Sequence, residues 1–382
     1  MKITHLCLAG TITDGWSYQE NMLAKCHRKM GYEVSVVTSR WVYNDENKLY
    51  KFPKTNYYLE DGTHVIRLEI INKDNLTYKF KKYNKVEETL NQLEPDILFI
   101  HGCQFIDVKK VANYLKKHTR TITYVDNHAD FSNSASNIMS RIILHGIIWK
   151  HCAHTILPYV SKFYGVLPAR VEFLKNVYHL PSNKIELLVM GGDDEMVEAA
   201  SKKIKVTRRQ YGIQDEDFLI VTGGKIDKWK KQTILLMEAV KKIKRHNLRL
   251  LIFGSIDDDL KDQVHALIDG YIIQYVGWIN SEYSYDIFAA ANLAIFPGRH
   301  SVFWEQVAAQ GIPMVVKDWY GTHHIDLGGN VIFLHNDSEK EIEEAILGVL
   351  DNPSKYLEMV ECAWNKRKEF SYMDIAKRSI QQ

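Results

Sequence analysis

FPGRHSVFWEQVAAQGIPMVV, residues 296–316, shows the fold in miniature. Its first residues close an apolar run, NLAIFP, that reads as a strand stopped by Pro297. A short polar loop follows, then a helix over 303–310 that ends at GIP, then a second strand, MVV. A strand, a short helix and another apolar strand make up the repeating step of a parallel sheet. Glu305 stands near the start of that helix beside Trp304, just ahead of Ala308, Ala309 and Gly311. A first-turn carboxylate suits a helix dipole. It also suits a ribose diol, whose two hydroxyls it can accept.

Working outward, the same alternation fills the second half of the chain. DFLIVTGG, LRLLIFG and IIQYVGWI read as strands, separated by the helices TILLMEAVKKIKRH and LKDQVHALID. SYDIFAAA and SEKEIEEAILGVLD add further helices. An earlier cycle runs ITHLCLA, QENMLAKCHRKMG, YEVSVVTS, HVIRLEI, KVEETLNQLEP, DILFIHG, VKKVANYLKKH and TITYVDNH. The expected fold class is α/β, with two Rossmann-like domains facing a central cleft. The boundaries fall at 1–184 and 185–365, with a final helical segment, 366–382, that packs back on the first domain.

Composition narrows the function. The chain has 382 residues, 49 Lys and Arg against 47 Asp and Glu, and 46% hydrophobic residues. That near-neutral balance gives no footprint for nucleic acid. The basic runs KFKKYNK (79–85) and KKIKVTRR (202–209) read as solvated faces. Five scattered cysteines without CxxC spacing predict neither disulfides nor a zinc site, and a reducing, cytoplasmic setting. The first residues carry no signal-peptide pattern, and no apolar run reaches the length of a membrane span. SRIILHGIIWKH, residues 140–151, fits a membrane-surface helix or a buried core helix; the core reading is taken.

Ligands of open parallel sheets sit beyond the carboxyl ends of strands. There the loop GGKIDKWKK (223–231) places Gly224, Lys225 and Lys230 between a strand and a helix. Cations at a helix start oppose its dipole unless an anion compensates, which favours a diphosphate over a merely solvated run. The P-loop spacing is absent. Arg299, His300 and Ser301 can add donors to a sugar or phosphate. In the first half, Gly15 follows the first strand, where backbone can approach a ligand. His128 ends a strand between Asp126 and Asp130, as a ligand contact or equally as a satisfied turn residue. His101 and Gly102 end DILFIHG in the same manner. The spacing of these His and Asp residues shows no convergence on a metal, and none is expected. GxGxxG is missing too, which argues against a dinucleotide oxidoreductase.

GGKIDKWK resembles the G-R/K-x4-K phosphate loop of glycosyltransferase family 4, two-domain enzymes of the GT-B architecture. EQVAAQGIPMVV is similar to that family's E-A-M-A-x-G-x-P-V-V. TDGWSYQENMLAKCHRKMGYEVSVVTS is similar to its Gly-loop, helix and following strand. The resemblance runs over nearly the whole chain. It implies Lys225 and Lys230 on a diphosphate, Glu305 on the ribose, and His128 at the catalytic histidine beside the donor sugar. The family's first motif glutamate is replaced here by Pro297, so Arg299, His300 or Ser301 would meet the sugar instead.

The resemblance further implies a hexosyltransferase that takes a UDP- or GDP-linked sugar as co-substrate, without metal or other cofactor, and retains configuration. The acceptor would be a carbohydrate or lipid-linked hydroxyl in cell-surface polysaccharide or glycoconjugate synthesis. Contact with the inner face of the membrane is left open. The alternatives are a non-catalytic nucleotide-sugar-binding protein and an epimerase or hydrolase of the same architecture.

Overall fold

The computed structural model describes residues 1–44, 48–71 and 80–381; Lys79 of the first basic run lies outside them. The chain divides into two units, residues 1–189 with 375–382, and residues 190–374.

In the first unit the strands are β1 (Lys2–Cys7), β2 (Glu33–Ser39), a hairpin of β3 (Trp41–Tyr43) and β4 (Leu49–Lys51), β5 (Asn56–Tyr58), β6 (His64–Leu68), β7 (Ile97–His101), β8 (Ile122–Asn127), β9 (Lys162–Gly165) and β10 (Ile185–Leu187). Eight of them form a sheet in the order β10-β9-β8-β7-β1-β2-β6-β5. Pairing is parallel throughout except between β5 and β6. Central strands read as unbroken apolar runs because both sheet faces are covered. Successive side chains then alternate between two cores. Leu6 and Leu8 enter one cluster with Leu98, Ile100 and Val125, while Cys7 joins Ala24, Val34 and Val36 in the other.

The same alternation puts His5, Phe99, His101, Tyr124 and Asp126 on one face. Register pairs His5 with Phe99 and His101 with Asp126 across neighbouring strands. This aromatic and polar face is roofed by the helix Gln19–Lys29 and by the end of the chain. His27 contacts the Ala376 carbonyl, and the Tyr124 hydroxyl donates to the Ile380 carbonyl at 3.3 Å.

The second unit holds β11 (Phe218–Gly223), β12 (Leu248–Phe253), β13 (Ile273–Tyr275), β14 (Leu293–Phe296), β15 (Met314–Lys317) and β16 (Val331–Leu334). Their order is β13-β12-β11-β14-β15-β16, all parallel, which is the doubly wound order of nucleotide-binding sheets. The opening stretch becomes β14, the helix Phe303–Ala309 and β15. All five cysteines are unbridged.

Two sequence readings are corrected here. Residues 140–149 do form a helix, of π type, but Ile142 and Ile147 face outward, so it is no core helix. Lys81 of the first basic run is not solvated: its ammonium donates to the Ala9 carbonyl, and burial lowers its pKa to about 8. Among the described residues, no helix is long and apolar enough to cross a membrane.

Candidate functional site

Strand order in the second unit reverses between β11 and β14, which opens a crevice at their carboxyl ends. The loop after β11 can fill its floor only with backbone. Gly224 has φ +120°, and a Cβ on Gly254 would stand 2.0 Å from the Gly224 carbonyl oxygen. Around that floor lie Lys225, Lys230, Thr233, Pro297, Arg299 and Ser301. The structure thus gathers five of the residues singled out from sequence: Gly224, Lys225, Lys230, Arg299 and Ser301.

Their charges are not equivalent. Lys225 is exposed and its ammonium pairs with Asp257 at 2.7 Å, which raises its pKa. Lys230 has no ion-pair partner among the described residues. Burial, and then the nearby Arg299 guanidinium, lower its pKa although Asp227 acts in the other direction. Arg299 likewise lacks a carboxylate; its guanidinium lies over the rings of Trp229 (4.8 Å) and Trp319 (5.6 Å). Two uncompensated cations over a glycine floor suit an anion. The second cation is therefore Arg299 more than Lys225.

His300 and Glu305 belong to a separate cluster. Glu305 is fully buried, and its Oε1 accepts from His300 Nε2 at 2.8 Å and from His324 Nε2 at 2.9 Å. Its Oε2 is buried without a partner. Burial opposes ionisation, yet the two imidazoles hold the carboxyl well below the usual carboxylate range. The accessible ribose acceptor expected from sequence is not what this conformation presents, because one oxygen is taken and neither reaches solvent. His324 escaped the sequence reading; its only signal was the pair HH in a loop after a strand.

In the first unit, His128 is part-exposed, with Nε2 3.4 Å from Asp126 Oδ2 and 3.9 Å from Glu20 Oε1. Burial disfavours its charge, but the two carboxylates outweigh that and raise its pKa. Asp130 does not join it; it accepts from Arg170 Nε at 3.1 Å and from the Ser132 amide at 2.7 Å. Gly15 sits in a turn at φ +78° with open space around it.

Behind His128 runs a chain that sequence did not announce. His27 Nε2 meets the Ala376 carbonyl at 2.9 Å, and its Nδ1 meets His5 Nε2 at 3.0 Å. His5 Nδ1 meets His101 Nε2 at 2.9 Å, and His101 Nδ1 meets Asp126 Oδ2 at 2.7 Å. Both ends are acceptors when Asp126 is ionised. Four links then need four protons, whereas three neutral imidazoles carry one each. The chain holds one extra proton, opposite the Asp126 carboxylate. Burial and neighbouring imidazoles push His5 and His27 down, the latter to about 4. Burial opposes the Asp126 charge, but His101 and His128 hold that carboxyl well below its usual range.

The convergence that spacing did not show is thus present twice. His101, Asp126 and His128, and likewise His300, Glu305 and His324, each bring three possible ligand atoms within 4.8 Å of one another. In both sets the shortest contacts are direct hydrogen bonds, through which the groups share protons.

Residues 217–352 match the family described as glycosyl transferases group 1. An uncharacterized glycosyltransferase of Methanocaldococcus jannaschii is 25% identical over 162 residues, 40% of this chain and 41% of that protein. The chain therefore matches well under half the length of this curated relative. Among solved structures, a glycosyltransferase from Rickettsia africae is similar with a TM-score of 0.68 at 13% identity, over 99% of this chain and 96% of the other. Anabaena HepE in complex with UDP is similar with a TM-score of 0.66 at 15% identity, over 99% and 98%. The doubly wound second unit, with its glycine floor and paired cations, thus matches the glycosyl transferases group 1 family over residues 217–352, in a chain whose fold is that of two Rossmann-like domains of the GT-B type.

Proposed function

We propose that this protein is a glycosyltransferase that moves a sugar from a nucleotide-diphosphate sugar to a hydroxyl of a carbohydrate or lipid-linked acceptor. The observation that carries the reading is the pair Lys230 and Arg299, two cations without carboxylate partners among the described residues, at the switch point of a doubly wound sheet. In the reaction, the bond from the anomeric carbon to the diphosphate oxygen breaks, and its electron pair stays with the diphosphate. The acceptor oxygen bonds to that carbon, and its proton passes to the leaving phosphate. Negative charge grows on the diphosphate, where fixed cations stabilise the transition state more than the ground state. In this reading no divalent metal is needed, and attack from the side of the leaving group retains configuration.

Other roles follow within the same reading. His128, with its raised pKa, is assigned to hydrogen bonding at the reacting sugar. Glu305 steadies the 298–301 loop through His300 and meets a ribose hydroxyl through Oε2 when that loop opens. Since Anabaena HepE was solved with UDP, UDP is the first nucleotide to test. Cell-surface polysaccharide or glycoconjugate synthesis is the setting we assign.

The test is calorimetric titration of UDP and GDP, without added metal. Wild type should bind one of them. Lys230→Ala and Arg299→Ala should each weaken binding by about tenfold or more, as loss of a charge-assisted bond does. Lys225→Ala should weaken it less, because Asp257 already holds that ammonium. Binding undiminished by both of the first two changes would overturn the site.

A further inference from the structure

The π-helical stretch Ser140–Trp149 is anchored on one side and bare on the other. On the inward side, His145 is buried, with Nε2 2.9 Å from the Ser134 hydroxyl and Nδ1 2.9 Å from the Tyr178 hydroxyl; Trp149 is buried too. In a helix with i→i+5 bonds, positions four to five apart share a face. Ile142 and Ile147 share the outward one, 57% and 61% exposed, with Ile143 beside them. Ile138 and Met139 extend it, 73% and 65% exposed. Five large apolar side chains on one short, fixed segment exceed the scattered exposure normal for a soluble surface.

Within the segment that carries this patch, residues 131 to 171, the sequence contains no Asp or Glu, but it includes Arg141, Lys150, Lys162 and Arg170. Lys162 pairs with Glu186 and Arg170 with Asp130, which leaves Arg141 and Lys150 as the cations of the segment without an ion pair among the described residues. The carboxylates that border the run are already occupied: Asp130 by Arg170 at 3.1 Å, and Glu172 by Lys175 at 3.1 Å. Arg141 lies within the patch, its guanidinium 4.5 Å over the exposed ring of Phe131. Lys150 follows the patch on the next turn.

We infer that this face docks on an anionic lipid bilayer. Isoleucines enter the boundary between headgroups and acyl chains, while Arg141 and Lys150 meet the phosphates. A bilayer satisfies both features at once, since its apolar layer lies directly beneath a negative one. The inference goes beyond the glycosyl-transfer reading and does not depend on it, because the nucleotide pocket lies on the other unit.

The test is co-sedimentation of the full chain with vesicles of phosphatidylcholine alone, and with phosphatidylglycerol added. Wild type should sediment with the anionic vesicles and not with the neutral ones. The double substitution Ile142→Asp/Ile147→Asp should lower the partition at least about tenfold. Arg141→Gln/Lys150→Gln should lower it as well and flatten its dependence on salt. These side chains are exposed or half-exposed, so unchanged circular dichroism, melting midpoint and UDP titration should accompany each variant. No sedimentation of wild type with anionic vesicles overturns the inference, as does binding that both double variants retain. Analytical ultracentrifugation covers the other occupant. A wild-type oligomer that the aspartates dissociate, without vesicle binding, makes this face a contact between copies and ends the lipid reading.

Discussion

Three imidazoles in series between a carbonyl and a carboxylate leave little freedom in where protons sit, and stability must record this. An unfolded histidine titrates near 6.5, whereas His27 is held to about 4 and His5 is lowered as well, chiefly by burial. Above about pH 6.5 both states carry these rings neutral, and the stability from burying them is fully present. As pH falls, the unfolded chain takes up protons that the buried rings refuse, and stability is lost until His27 itself titrates. A shift from 6.5 to about 4 corresponds to roughly 3 kcal/mol for His27 alone. His128, raised rather than lowered, has the opposite sign: its contribution is complete below its unfolded value and lost as pH rises through its folded one. We expect urea unfolding of wild type to report a net loss of a few kcal/mol between about pH 7 and about pH 4.5. A flat profile would mean that the rings are not buried neutral.

At the scale of elements, the short helix Phe303–Ala309 shows what sequence could and could not tell. Its position after β14 and its stop at Gly311 were legible, because apolar strands and a glycine-proline stop are local signals. The glycine-lysine loop after β11 was legible for the same reason. What Glu305 touches was not, since His324 reaches it only after β15 has formed. The imidazole chain was hidden likewise: His5 and His101 stand 96 residues apart and meet through strand register alone. Elements with weak local signals also escaped, such as β4, whose three residues are all exposed. The buried setting of Glu305 gives its own prediction. Glu305→Ala leaves two inward imidazoles facing a void, and removing one partner of a buried ionic cluster costs about 3–5 kcal/mol. Chemical denaturation should show a loss of that order. If stability is unchanged and only nucleotide affinity falls, the carboxylate serves a ligand rather than the fold.

At the scale of the whole molecule, the chain's last residues belong to the unit formed by its first half. The reason lies in the sheet face they cover. His5, Phe99, His101, Tyr124 and Asp126 make that face aromatic and polar, so a roof of apolar side chains alone would leave donors unsatisfied. The terminal segment supplies carbonyls: Ala376 to His27 at 2.9 Å, Ile380 to the Tyr124 hydroxyl at 3.3 Å. Ile375 and Ala376 are also fully buried. Deleting residues 375–382 would remove the acceptor that fixes one end of the proton count and expose the apolar surface that those residues cover. Each unsatisfied group costs about 1–3 kcal/mol, before the lost burial is added. We therefore expect the truncated chain to unfold its first unit at clearly lower urea, seen by limited proteolysis within residues 1–189. The pocket to which we assign the nucleotide, lined by residues between 222 and 301, should still titrate with the same nucleotide at low temperature. Equal protease resistance of both chains would show that the terminal segment merely rests on a unit already complete without it. Loss of nucleotide binding along with that resistance would show instead that the two units do not fold independently.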